Sequence, residues 1–159
     1  MEYEKAKENI IIIERLLTEH KDLNEATTRL LLIDTMLVDC LGWEKSLIEA
    51  ERYFSEEYSD YELGFPKKRL LVEAKREGIY FEVPAGFSKN KCDLKTIYSL
   101  SKDIEKAVEQ SIGYCNKRGI PISVVTNGHQ YIVFIRALRV REWVNPGACQ
   151  ARSICRARR

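Results

Sequence analysis

One helix-period stretch set between two strand-period runs constrains this chain more than any other feature. Residues 101–117 place apolar side chains at Ile104, Ala107, Val108, Ile112 and Cys115, the spacing of an amphipathic helix. Before it, 69–75 (Arg-Leu-Leu-Val-Glu-Ala-Lys) reads as a short strand. After it, Gly119 ends the helix and Pro121 opens a second strand over 122–126. Strand, helix and strand in that order make a crossover unit, expected to be right-handed. The fold class that follows is α/β, a mixed sheet flanked by helices.

The other elements fit around this unit. Residues 3–20 read as a helix, its apolar stripe built from Ile11, Leu16, Leu17 and the neighbouring isoleucines. His20 falls near its C-terminus, where the helix dipole favours positive charge. Asn24 reads as the N-cap of a second helix over 25–41. Leu30, Leu31, Ile33, Met36, Leu37 and Cys40 supply its buried stripe; Gly42 stops it and Trp43 packs over its end. Strands are expected over 47–54 and 59–63, with 64–67 turning the chain into 69–75, a three-strand meander. Between 77 and 97 a strand is expected at 79–83 and loops at 84–86 and 88–91. Asn127-Gly128 signals a type I′ hairpin into 130–135.

A chain of 159 residues, 45% apolar, supports one domain with a real core. The longest aliphatic run, Ile10 to Ile13, is far too short to span a membrane and has the wrong flanks for a signal peptide. Cys40, Cys92, Cys115, Cys149 and Cys155 are odd in number and form no Cys-x-x-Cys pair, which implies a reducing cytoplasm without a disulfide framework or structural zinc. The net charge of +2 is unevenly spread. Residues 136–159 hold seven Arg against one Glu, which leaves the rest at −4. The body is therefore no general nucleic-acid sponge, and a phosphate contact there needs a local patch. The organisation expected is an N-terminal helix over 1–23, a domain over 24–136 and an Arg-rich, loosely attached or disordered tail over 137–159.

Chemistry concentrates at the end of strand 69–75. Alternation puts Glu73 and Lys75 on one face, and Asp60 stands upstream across a turn. Two carboxylates beside an ammonium suit divalent-metal binding and water activation, as phosphodiester hydrolysis requires. The same residues also suit plainer roles. Glu73 and Lys75 make an ordinary strand ion pair, Asp60 a turn residue, and Glu25 a carboxylate stabilising a helix N-terminus. Glu62, two residues from Asp60, is a rival ligand on the same strand face. Gln110 and Tyr114 make a surface i, i+4 pair. His129 lies exposed beside the Asn-Gly turn. Two histidines in all give little support to histidine-based hydrolysis.

An ordered set of short motifs over 24–135 resembles the N-terminal nuclease domain of type I restriction enzyme R subunits, in the PD-(D/E)XK phosphodiesterase superfamily. Asn24-Glu25-Ala26-Thr27-Thr28-Arg29 opens a helix that closes in Leu41-Gly42-Trp43. Asp60-Tyr61-Glu62-Leu63 precedes Leu71-Val72-Glu73-Ala74-Lys75-Arg76; Gln110 and Tyr114 follow, then Pro121 to Gly128, a strand ending in Thr-Asn-Gly. The resemblance implies a restriction-endonuclease-like sheet and a metal-dependent endodeoxyribonuclease. Asp60 and Glu73 would hold Mg2+ or Mn2+, with Glu25 contributing directly or through water. Lys75 would orient the attacking water or meet charge developing on the phosphate. Gln110 would serve the same cleft, and Tyr114 and Arg76 would contact DNA. Ser59 stands where the family often has proline. The sequence holds no Gly-x-x-x-x-Gly-Lys-Ser/Thr phosphate loop, so the translocase that accompanies this domain in R subunits is not encoded in it. The expected partners are DNA and other restriction-system subunits or a separate translocase. The alternatives are a non-catalytic nuclease-fold module that binds DNA or a protein, and a truncated fragment.

Overall fold

The computed structural model describes residues 3–19, 23–76, 91–135 and 150–154. Helix α1 covers Tyr3–Glu19 and helix α2 covers 25–40. A meander follows: β1 (Ile48–Phe54), β2 (Glu57–Leu63) and β3 (Leu70–Ala74). Next come β4 (Lys91–Asp93), α3 (Leu94–Tyr98) and α4 (Lys102–Arg118). Then come β5 (Ile122–Thr126), β6 (Tyr131–Ile135) and β7 (Gln150–Ile154). The sheet order is β1-β2-β3-β5-β6-β7-β4. β3 and β5 pair in parallel and every other pair is antiparallel. The molecule is thus mixed α/β, and α4 is the crossover that its flanking strands require.

The two faces of the sheet are covered by different helices. α4 lays Ile104, Ala107 and Val108 against Val125, Ile132 and Phe134, and Tyr114 and Cys115 against Leu71. Ser101 caps α4, its Oγ accepting from Ile104 N–H at 3.1 Å, and Asp103 and Glu105 complement the dipole in the first turn. Gly119, at φ +70°, supplies the left-handed residue that ends it. On the other face, Ile33 and Leu37 of α2 meet Tyr61, Leu63, Val72 and Ala74, with Trp43 packed alongside as expected. α1 lies outside α2, burying Ile13 against Leu32 and Cys40.

Several local expectations are corrected. Leu30 is exposed and Leu32 is buried, because two stretches of α2, Arg29–Ile33 and Met36–Cys40, are π-helical. Each wider turn slips the apolar stripe relative to an ideal 3.6-residue period. Ile11 is likewise exposed, and Ile13 takes the core position in α1. The β5–β6 hairpin exists, but residues 127–130 lie between the paired Thr126 and Tyr131. Asn127 works through its side chain, Oδ1 accepting from the backbone N–H of His129 at 3.0 Å and Gln130 at 2.8 Å. Gly128 takes the positive φ. His20, the strand expected at 79–83, the loop expected at 84–86 and residues 88–90 of the loop expected at 88–91 lie outside the described residues; Lys91, the last residue of that loop, instead begins β4. Most of the Arg-rich segment, within which Gln150–Ile154 form β7, also lies outside the described residues.

Candidate active site

β2 and β3 diverge at one end. They pair through Leu63↔Leu70, Glu62↔Leu71 and Tyr61↔Val72, where their ladder ends. β3 instead stays with β5 as far as Ala74↔Thr126, and Lys75 N–H donates to Thr126 O at 2.8 Å. Asp60 fills the gap, its Oδ2 accepting from Ala74 N–H at 2.7 Å. A side-chain carboxylate thus replaces the strand carbonyl, which satisfies the orphaned donor and fixes the carboxylate beside the end of β3.

A distortion in β1 sets the direction of Asp60. Glu51 has φ +50°, and the pairs Ala50↔Tyr61 and Arg52↔Ser59 flank it. Tyr61 faces α2, its hydroxyl donating to Asp34 Oδ1 at 2.7 Å. Ser59 sits with Glu62 on the α4 side, its Oγ donating to Glu62 Oε1 at 3.0 Å. Residues two apart therefore lie on opposite faces, which strict alternation forbids, and Asp60 is the residue at the switch. This corrects the expectation that Asp60 and Glu62 share a face. Glu62 is 1% exposed and receives Arg52 Nη1 at 3.0 Å and Arg118 Nη1. It is a saturated internal ion-pair partner and no rival ligand.

Glu73 and Lys75 meet as their spacing predicts. Lys75 Nζ donates to Glu73 Oε1 at 2.6 Å and to Gln110 Oε1 at 3.3 Å. Gln110 Nε2 in turn donates to the Tyr114 hydroxyl at 2.8 Å, which orients the amide so that its oxygen faces the lysine. Tyr114 is buried, with the Arg118 guanidinium 5.0 Å above its ring. It supports Gln110 from inside and is not a surface for DNA. Glu73 is 3% exposed and its Oε2 has no hydrogen-bond partner. Burial pushes its pKa up to about 7, with Lys75 opposing and Asp60 and Glu25 adding to the shift. Burial also raises Asp60, against the Ala74 N–H, Arg29 and Lys75. Glu25, at the start of α2, is raised by burial and then by Asp60, and lowered by Lys75 and Arg29. These couplings bring Glu25, Asp60, Glu73 and Lys75 into one electrostatic site.

Arg29 belongs to this site although the sequence assigns it no role. Its Nη1 lies 2.8 Å from Glu51 Oε1 and 3.4 Å from Asp60 Oδ1, and its guanidinium stacks 5.0 Å over the Tyr61 ring. Burial works against its charge, but Tyr61, Glu51 and Asp60 hold its pKa above the usual arginine value. The signal was its position one turn after Glu25 on the same helix. A cleft of about 320 Å³ opens beside the cluster, lined by Glu25, Lys75, Arg76, Asp103, Lys106 and Gln110.

The donors present fit a small hard cation. Asp60 and Glu73 offer carboxylate oxygens, one of them buried and unpartnered, and magnesium accepts few protein ligands while keeping its waters. Among the described residues no three acidic, histidine or cysteine side chains gather as a ready-made ligand set. Comparison with protein-family models, with curated proteins and with solved structures found no match to this chain. No described helix is long and apolar enough to cross a membrane.

Proposed function

We propose that this chain is a restriction-endonuclease-like domain that hydrolyses DNA phosphodiester bonds with the help of magnesium or manganese. One observation carries the reading: Asp60, Glu73 and Lys75 converge where β2 and β3 diverge, and Glu73 keeps a buried oxygen without a partner. A strand ion pair needs only Glu73 and Lys75. It does not account for a second carboxylate held by the Ala74 N–H or for the charge coupling to Glu25.

Asp60 and Glu73 would hold the cation, with Glu25 alongside. When bound, the cation acts as a Lewis acid on the phosphate and lowers the pKa of a coordinated water. The chain's own residues do the remaining work. The Ala74 N–H fixes Asp60. Glu73 must be ionised to act as a ligand and burial raises its pKa, so cation binding weakens as pH falls. Lys75 is placed to donate to an attacking water or to a phosphate oxygen. Gln110 and Tyr114 limit its positions. The odd number of cysteines, with no Cys-x-x-Cys pair, suits a cytoplasmic setting.

Supercoiled plasmid incubated with the purified protein should be nicked in magnesium and left intact in chelator. Intact plasmid under both conditions, with DNA binding retained, would favour the non-catalytic reading.

A further inference from the structure

The cleft beside the carboxylates contains two cations that the proposed chemistry does not use. Arg76 follows Lys75 at the end of β3 and Lys106 projects from α4; both line the cleft with Gln110. Arg76 has a buried Nε without an acceptor, and among the described residues no ion pair neutralises it. Among the described residues the ion pair of Lys106 is with Asp103, at 3.9 Å, and both side chains are largely open to solvent. Other basic side chains near the site are occupied: Arg29 by Glu51 and Asp60, and Arg118 and Arg52 by Glu62. The two weakly paired cations therefore share one concave surface with the hydrolytic lysine.

We infer that Arg76 and Lys106 form a second phosphate seat, which holds the phosphate neighbouring the scissile one on the strand being cut. The inference rests on the nuclease reading and names the substrate contact that reading lacks. Lys106 lies four residues before Gln110, about 6 Å along α4. A strand whose scissile phosphate sits at Lys75 and Gln110 would present a neighbouring phosphate to the Arg76–Lys106 wall of the same cleft. A guanidinium with no ion pair among the described residues and a solvent-exposed ammonium are suited to that anion, Arg by its fork geometry and Lys as a point charge. Such a seat favours internal linkages over terminal ones and gives the mildly acidic body the local basic patch it needs.

The test is salt-dependent binding of a fluorescent DNA duplex to the intact protein, together with steady-state nicking of plasmid. Arg76→Gln and Lys106→Gln are compared with Lys5→Gln, the same charge change on exposed α1. Each cleft variant should make the slope of log K against log[salt] shallower, and the pair together by about 0.9, the loss of one phosphate contact. KM should rise about tenfold for each, by more than kcat falls. Lys5→Gln should leave the slope at the wild-type value. If the cleft variants match Lys5→Gln in slope and KM while wild type nicks DNA, the second seat is wrong and the nuclease reading stands. If wild type neither binds nor nicks DNA, the nuclease reading falls and this inference with it.

Discussion

Glu73→Gln separates a metal site from a structural ion pair. The Glu73 carboxyl has its pKa raised from 4.5 to about 7, chiefly by burial. Between those values the folded state holds a proton that the unfolded state has lost, so stability falls as pH rises through the window and is level above it. A shift of that size corresponds to about 3 kcal/mol of destabilisation above pH 7. Gln is neutral in both states and removes that loss, the Lys75 attraction being already contained in the net shift. In chelator above pH 7 the variant should melt higher than wild type by roughly 6–12 °C. Below pH 4.5 the advantage should vanish. Magnesium at ten times its dissociation constant should stabilise wild type by about 1.4 kcal/mol and the variant by much less. Scanning calorimetry across pH, with chelator and with magnesium, measures all three effects. A variant that melts lower at every pH, beside a wild type indifferent to magnesium, would show that Glu73 is structural.

Three further substitutions probe the surroundings. A Cβ at Gly128 would lie 2.7 Å from Leu32 Cδ1 and 3.0 Å from Thr28 Cγ2, at a φ of +86°. Gly128→Ala should therefore cost roughly 2–4 kcal/mol in urea denaturation; a loss below about 1 kcal/mol would show that the hairpin does not clamp α2. Glu62→Gln leaves buried Arg118 without its carboxylate and should cost about 3 kcal/mol. The nicking rate per folded molecule should hold, and its collapse would return Glu62 to the list of ligands. Gln110→Ala frees the Lys75 ammonium and should slow nicking several-fold, with a stability change within about 0.5 kcal/mol because the side chain is exposed. A large fall in melting temperature at unchanged rate would make it a structural residue.

The crossover was legible because the period is 2 over 69–75 and 122–126 and 3.6 over 101–117, and the caps at Asn24, Ser101 and Gly119 fixed helix ends locally, whereas β4 and α3, between 75 and 101, were not foreseen. The face of α2 was not legible. Its two π-helical stretches shift the apolar stripe, and no periodicity in the sequence marks where they fall. Glu73 and Lys75 followed from alternation. Asp60 joined them for a reason alternation denies: the distortion at Glu51 turns its carboxylate to the Ala74 N–H. Arg29 and Lys106 drew no reading from the sequence; the fold brings Arg29 to Asp60 and Lys106 to the cleft with Lys75. Tyr114 stood correctly next to Gln110 in sequence, but burial turned it from an expected DNA contact into a support.

The central claim is that Asp60, Glu73 and Lys75 form a hydrolytic site, and Lys75→Ala tests it most directly. The measurement is nicking of supercoiled plasmid in magnesium by wild type and Lys75→Ala, each shown by its melting curve to be folded. The account predicts magnesium-dependent nicking by wild type and a loss of at least about a hundredfold in the variant, the scale of a group that acts in proton transfer or charge stabilisation. Wild-type nicking by a folded Lys75→Ala protein would contradict it.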